Sequence, residues 1–133
     1  MCGDGDGALA LFRELLPDQA RVQGPDHPDT LTVRHSLASW TGFCGDAAGA
    51  LALFRELLPD RVRVQGPDHL GTLNTHHNLA YLTRVCGDAA GALALYRQLL
   101  LDQARVQGPD HPDALATRRW IEALEDAANR AGS

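Results

Sequence analysis

A unit of 42 residues recurs along the chain, and this repeat constrains the fold more than any other sequence feature. Residues 44–69 agree with residues 2–27 at 22 of 26 positions, and the segment returns at residues 86–111. A fixed period of about 40 residues with helical patterning is typical of stacked helix pairs. We therefore predict an all-α fold: a right-handed helical-repeat solenoid of antiparallel helix pairs, with about six helices.

Each unit carries the signals of a long helix. Within Ala47–Gln65, apolar residues recur at spacings of three and four, which gives an amphipathic stripe. Asp46 stands where a carboxylate can cap the first turn, and Gly66 stands where a left-handed residue ends a helix. Pro17 and Pro59 fall inside this helix, so we expect a kink or a break there, and a straighter helix in the third copy.

A shorter helix follows the GPDH turn of each unit. Pro28 and Pro112 stand in its first turn, where a missing amide hydrogen costs nothing, and Asp29 and Asp113 complement the helix dipole. We interpret the histidine of the turn as a capping or turn-stabilising group in every copy: His27, His69 and His111.

Charge and hydropathy narrow the classes of partner and location. The formal net charge is −5 at pH 7 and the basic residues form no stripe, so we expect no nucleic-acid partner. No apolar stretch approaches the roughly 20 residues that span a bilayer, so we expect no membrane association. The first residues are acidic, whereas an export signal begins with positive charge, and this favours a cytoplasmic location.

Six histidines and three cysteines raise the possibility of a metal site. Equivalent positions in successive units are separated by two helix layers, roughly 15–20 Å, which is too far for a disulfide or a shared zinc ion. No phosphate-binding loop, HExxH or nucleophile motif occurs. We therefore expect no metal, no cofactor and no enzymatic activity.

The copies differ mainly in their shorter helix. Residues 28–43 and 70–85 agree at only 6 of 16 positions, although the preceding parts of the two units are nearly identical. The constant part is consistent with stacking geometry that every unit must satisfy. The variable part is either a recognition face or the product of drift, with the last copy changed into an end cap.

The string GPDHPDTL, an Asn-Leu-Ala helix and then GDAAGALALFRELL together resemble the longer tetratricopeptide repeat, the 42-residue form found in kinesin light chains. The resemblance covers essentially the whole chain and implies one repeat domain over residues 1–133. Its frame comprises an orphan helix at 5–22, repeats at 28–65 and 70–107, and a closing helix at 112–128. Trp120 and Glu122 depart from the family pattern and suggest that the closing helix packs no further repeat.

In this family the first helices of the repeats line a concave groove that holds an extended peptide. The resemblance therefore implies a protein- or peptide-binding scaffold, and it places these residues in the groove: Thr32, His35, Ser39, Asn74, His77, Tyr81, Arg84, Ala116 and Arg119. Two arginines with two histidines favour an acidic or C-terminal carboxylate ligand.

The alternative is a structural spacer, or a fragment of a larger ATPase-linked regulator, that self-associates through an uncapped N-terminal helix.

Overall fold

The computed structural model describes residues 4–131, with side chains from residue 6 onward, and this part of the chain consists of six helices without a strand. The helices are α1 (Asp4–Gln23), α2 (Pro28–Phe43), α3 (Ala47–Gln65), α4 (Leu70–Val85), α5 (Ala89–Gln107) and α6 (Pro112–Ala131). The predicted all-α class is confirmed, and the long helix predicted over Ala47–Gln65 is α3.

The helices form two compact units that meet in sequence between Pro67 and Asp68. In unit 1, α2 packs against both α1 and α3. In unit 2, α5 packs against both α4 and α6. Each unit therefore contains one helix with a neighbour on two sides, and that central helix contributes much of the core.

Unit 2 is built around fully buried residues of α5. Ala92, Tyr96 and Leu99 have no exposed surface, and they cluster with Ala80 of α4 and Ile121 of α6. Burying a large apolar side chain stabilises a fold by roughly 1.5–3 kcal/mol. The small alanines allow neighbouring helices to approach closely enough for the larger side chains to fill the space between them.

The helix ends follow the sequence signals. The Asp46 carboxylate accepts the Gly49 amide hydrogen at 2.9 Å, and Gly66 has a φ of 87°, which L-residues with side chains rarely adopt. The turn histidines cap the shorter helices, as predicted. The Nδ1 atoms of His27, His69 and His111 accept the amide hydrogen two residues ahead at 3.0, 3.0 and 3.1 Å.

An arginine of the long helix anchors the preceding turn in each unit. Arg63 of α3 forms two hydrogen bonds with Asp26, at 3.0 and 2.8 Å. Arg105 of α5 pairs with Asp68, and these two residues occupy the positions of Arg63 and Asp26 in the next repeat. Both pairs are exposed to solvent, so they contribute little to stability and mainly fix the position of the turn.

Two sequence-based expectations are corrected in this region. Of the kink or break expected at the prolines, the break does not occur, because α1 continues through Pro17 and α3 through Pro59. The kink stays a prediction. Burial of Leu57 and Arg61 on either side of Pro59 outweighs the lost hydrogen bond.

The expectation that helix layers keep every cysteine from bridging is also wrong. Cys44 is disulfide-bonded, whereas Cys86 is free and exposed. The spacing estimate applies to residues inside regular helix layers, and Cys44 lies in the turn after α2.

Residues 59 and 101 occupy the same position of the repeat, so exchanging proline and leucine between them measures how much a proline inside the helix lowers the free energy of unfolding. Pro59→Leu should raise the free energy of unfolding by about 1–3 kcal/mol, because the Arg55 carbonyl regains a hydrogen-bond donor. Leu101→Pro, at the exposed equivalent position of α5, should lower it by a similar amount. Urea denaturation followed by circular dichroism measures both changes. Equal stability of Pro59→Leu and wild type would contradict the explanation.

Candidate functional site

A hollow of about 310 Å³ lies among α4, α5 and α6 in unit 2. Its lining combines an apolar wall with carboxamide, imidazole and carboxylate groups: Leu70, Leu73, Asn74, His77, Gln103, Gln107, Asp113 and Ala116. We refer to it as the α5 hollow. Its volume is near the lower end of the roughly 300–1,000 Å³ typical of ligand clefts, which suits one side chain or a small molecule.

Three of the predicted groove residues, Asn74, His77 and Ala116, meet in the α5 hollow. Asn74 is exposed on α4, and its backbone carbonyl accepts a hydrogen bond from the Asn78 amide at 3.0 Å. His77 is half-buried and contacts Tyr96 in a T-shaped arrangement, at 6.1 Å between ring centroids. Burial lowers the pKa of His77, although the Asp113 carboxylate opposes this shift, so the imidazole is neutral at pH 7.

A second hollow of about 360 Å³ lies on α6 and is lined by Ala116, Arg119, Trp120 and Ala123. We refer to it as the Trp120 hollow. Ala116 lines both hollows, so they form a continuous surface within unit 2. Arg119 is exposed there, as a groove-facing residue would be.

Arg84 of α4 is held against aromatic rings beside the Trp120 hollow. Its guanidinium carbon lies 4.2 Å from the centre of the Trp120 ring and 5.1 Å from that of Tyr81. Trp120 in turn stacks on Tyr96 with an angle of 9° between the rings. Within residues 6–131, neither Arg84 nor Arg119 forms an ion pair with a carboxylate. Both guanidinium groups therefore lack a direct carboxylate partner among these residues.

The predicted residues of unit 1 have different surroundings. Thr32 is exposed, but its hydroxyl donates to the Pro28 carbonyl at 3.0 Å. Ser39 lines a shallow hollow of about 230 Å³ with Trp40 and Phe43. His35 contacts Phe54 in a T-shaped arrangement, at 5.1 Å between ring centroids. Unit 1 thus presents an aromatic and hydroxyl surface, in contrast to the cationic surface of unit 2.

Burial lowers the pKa of His35 to about 4, and the nearby Arg61 guanidinium adds to this shift. His35 and His77 therefore contribute no positive charge at neutral pH. An electrostatic preference for acidic ligands rests on the arginines alone.

Sequence reasoning missed several residues of these hollows. The sequence indicates Trp120 only as a departure from the family pattern, and Asp113 only as a group that complements the helix dipole. Gln103 and Gln107 end the constant long helix, where no signal marked them as part of a surface. In the described part of the chain, no three His, Cys, Asp or Glu residues group closely enough to hold a metal ion. None of the helices described for residues 4–131 has the length and hydropathy to span a bilayer.

The fold is that of a helical-repeat protein. The tetratricopeptide repeat model matches residues 1–29, 30–70 and 72–113, so the chain belongs to the tetratricopeptide repeat family. Members of this family are scaffolds for interactions between proteins. A search of the curated proteins finds no match to the sequence.

Solved structures share the fold at low sequence identity. Nearly identical TPR-like repeats assigned to a kinesin light chain of Podosopora anserina match with a TM-score of 0.84 and 24% identity, and a single-residue variant of those repeats with 0.85 and 24%. BtubC (BKLC) from P. vanneervenii matches with a TM-score of 0.84 and 20% identity. Each match covers 96% of this chain, which spans 60%, 60% and 51% of those chains.

The low pKa of His35 makes stability depend on pH. The unfolded chain binds a proton with a pKa near 6.5 and the folded chain with a pKa of about 4, so protonation favours unfolding between these values. The contribution of His35 should be complete above pH 6.5 and should fall by up to about 3 kcal/mol as the pH drops to 4. His35→Gln should flatten the stability profile over this window.

Urea denaturation at half-unit pH steps measures that profile. His27→Gln serves as a control, because it removes a histidine from the exposed turn. A His35 titration midpoint near 6.5 by NMR would contradict the assignment.

Proposed function

We propose that this chain is a protein- or peptide-binding scaffold and that unit 2 binds a peptide across the α5 and Trp120 hollows. The observation that carries the proposal is Arg84, a half-buried cation between Tyr81 and Trp120 with no carboxylate partner among residues 6–131. Cation–π contacts hold a guanidinium in place without neutralising its charge. A carboxylate supplied by a partner would complete the site.

The position of Arg84 distinguishes it from five other arginines that lack a carboxylate partner within residues 6–131. Arg13, Arg55, Arg118, Arg119 and Arg130 are exposed, whereas Arg84 is half-buried against two aromatic rings. Arg119 lines the neighbouring hollow. An acidic side chain or the C-terminal carboxylate of a peptide would complement both Arg84 and Arg119.

Membership of the tetratricopeptide repeat family supports binding, since the repeat is a non-enzymatic scaffold fold. We propose that this chain likewise acts by binding alone. The predicted groove residues of unit 1, Thr32, His35 and Ser39, would offer neutral contacts to a partner. Trp40 and Phe43 beside Ser39 would add apolar contact area.

Adjacent arginines of α6 provide a matched test of the peptide site. Arg119→Ala should weaken binding of acidic hexapeptides several-fold, and Arg84→Gln by about tenfold, because each removes a charge-assisted contact. Arg118→Ala should leave binding unchanged, since Arg118 is exposed on the same helix but lines neither hollow. Fluorescence anisotropy with labelled acidic, neutral and basic hexapeptide pools measures the affinities.

Circular dichroism would verify that the three variants keep wild-type helicity. Equal loss of binding in Arg118→Ala and Arg119→Ala would show a non-specific charge effect. Failure of the wild type to bind any pool would contradict the peptide-binding proposal itself.

A second candidate function, self-association through α1, is favoured by the unequal burial of equivalent leucines. Leu57 and Leu99 are fully buried, whereas Leu15, at the same position of the repeat in α1, is 43% exposed. Leu11 and Val22 are exposed on the same face of α1, at 68% and 72%. A second copy of the chain would remove this apolar stripe from water.

Sedimentation velocity over a range of concentrations tests self-association. If α1 mediates it, Leu15→Gln should weaken the dimer about tenfold or more, because burial of a leucine is lost. Leu101→Gln, which changes an exposed leucine on α5, should not. A wild-type chain that sediments as a monomer at every concentration would exclude this candidate.

A further inference from the structure

We propose that the α5 hollow is a specificity pocket for the side chain of a lysine or arginine in the bound peptide. The inference rests on the proposed peptide-binding function and adds a basic residue to the acidic one already inferred. A ligand that fits both hollows would therefore carry a positive and a negative group near each other.

The shape and lining of the α5 hollow suit a long side chain with a polar end. Leu70, Leu73 and Ala116 form an apolar wall, along which the methylene groups of a lysine or arginine can pack. The polar groups of the hollow come from other parts of the structure: Asn74 and His77 of α4, Gln103 and Gln107 of α5, and Asp113 of α6. The hollow thus combines an aliphatic wall with polar groups that can meet a charged tip.

The charge of the lining favours a cation. Asp113 is the acidic residue among the described lining residues, and its side chain is 59% exposed. No lysine or arginine is among the described residues that line the hollow, and His77 is neutral at pH 7 because burial lowers its pKa. An anion in the hollow would face the Asp113 carboxylate without a compensating charge, whereas an ammonium or guanidinium group would be attracted to it.

The hydrogen-bond pattern leads to the same conclusion. The Gln107 amide donates to the Asp113 carboxylate at 3.4 Å, and this leaves the Gln107 carbonyl oxygen buried without a partner among the described residues. A buried acceptor without a donor is uncommon in folded proteins and calls for a physical reason. A lysine or arginine tip at Asp113 would bring N–H donors next to this carboxamide, which can turn its oxygen toward them.

The two hollows distinguish opposite charges over a short distance. Ala116 lines both, with the Asp113 carboxylate on one side and Arg119 on the other. One peptide chain can therefore place a basic side chain in the α5 hollow and an acidic one beside Arg84. This arrangement selects for sequence and orientation, because the reversed peptide would bring like charges together.

Selection from a random hexapeptide display library tests the basic pocket with no ligand chosen in advance. We expect peptides bound by the wild type to be enriched in lysine or arginine at one position relative to an acidic residue. Asp113→Asn should reduce that enrichment about tenfold, because a charge-assisted hydrogen bond is lost. Enrichment of acidic residues should persist in the peptides bound by Asp113→Asn and should be lost in those bound by Arg84→Gln.

Asp29→Asn is the matched control. Asp29 occupies the same first-turn position of α2, with its amide hydrogen bonded to His27 and its carboxylate 3.9 Å from the histidine Nδ1. Both substitutions therefore have similar effects on the helix terminus, and only Asp113→Asn changes the hollow. The selected arginine peptide would also be compared with its citrulline version, which keeps the shape and removes the charge, and the citrulline version should bind about tenfold more weakly.

The outcomes separate this inference from the proposed function. A bound pool without basic enrichment, or with basic enrichment that survives in Asp113→Asn, would overturn the basic pocket and leave peptide binding intact. Absence of any bound pool would overturn the peptide-binding function as well. Equal affinity for the arginine and citrulline peptides would overturn the charge-based pocket, because the hollow would then recognise shape alone.

Discussion

The close approach of neighbouring helices at small residues is the constraint on which the rest of the structure depends. Five alanines have no exposed surface: Ala38, Ala50, Ala80, Ala92 and Ala114. A larger side chain at these positions would hold the helix backbones apart and leave voids in the core. Phe54 and Tyr96 then fill the remaining space, and His35 and His77 contact them in T-shaped arrangements. The packing of the core therefore fixes the positions of His35 and His77.

Most of the fold was predictable from the sequence because its determinants are local. Capping by Asp46 and by the turn histidines depends on contacts within a few residues, and these predictions are confirmed. The failures involve non-local effects. The helix continues through Pro59 because the residues on either side are buried, and helix-layer spacing does not account for the disulfide at Cys44.

From the sequence, the candidate site could be predicted only as a list of residues, without the contacts between them. The family pattern assigns Asn74, Tyr81 and Arg84 to one face, but it carries no information about which groups lie next to them. The stacking of Trp120 on Tyr96 and the position of Arg84 against Trp120 depend on three helices packing together. The same is true of the α5 hollow, since Gln107 becomes a lining residue only when α6 brings Asp113 beside it.

The position of Trp120 has an optical consequence. Its indole contacts both the guanidinium of Arg84 and the phenol ring of Tyr96, so its excited state is sensitive to the charge and hydration of that guanidinium. A carboxylate arriving at Arg84 would change the electric field across the ring and hence the wavelength and yield of its fluorescence. Trp40 lies in the other unit and gives a separate emission component, so the protein contains its own reporter of occupancy at Arg84.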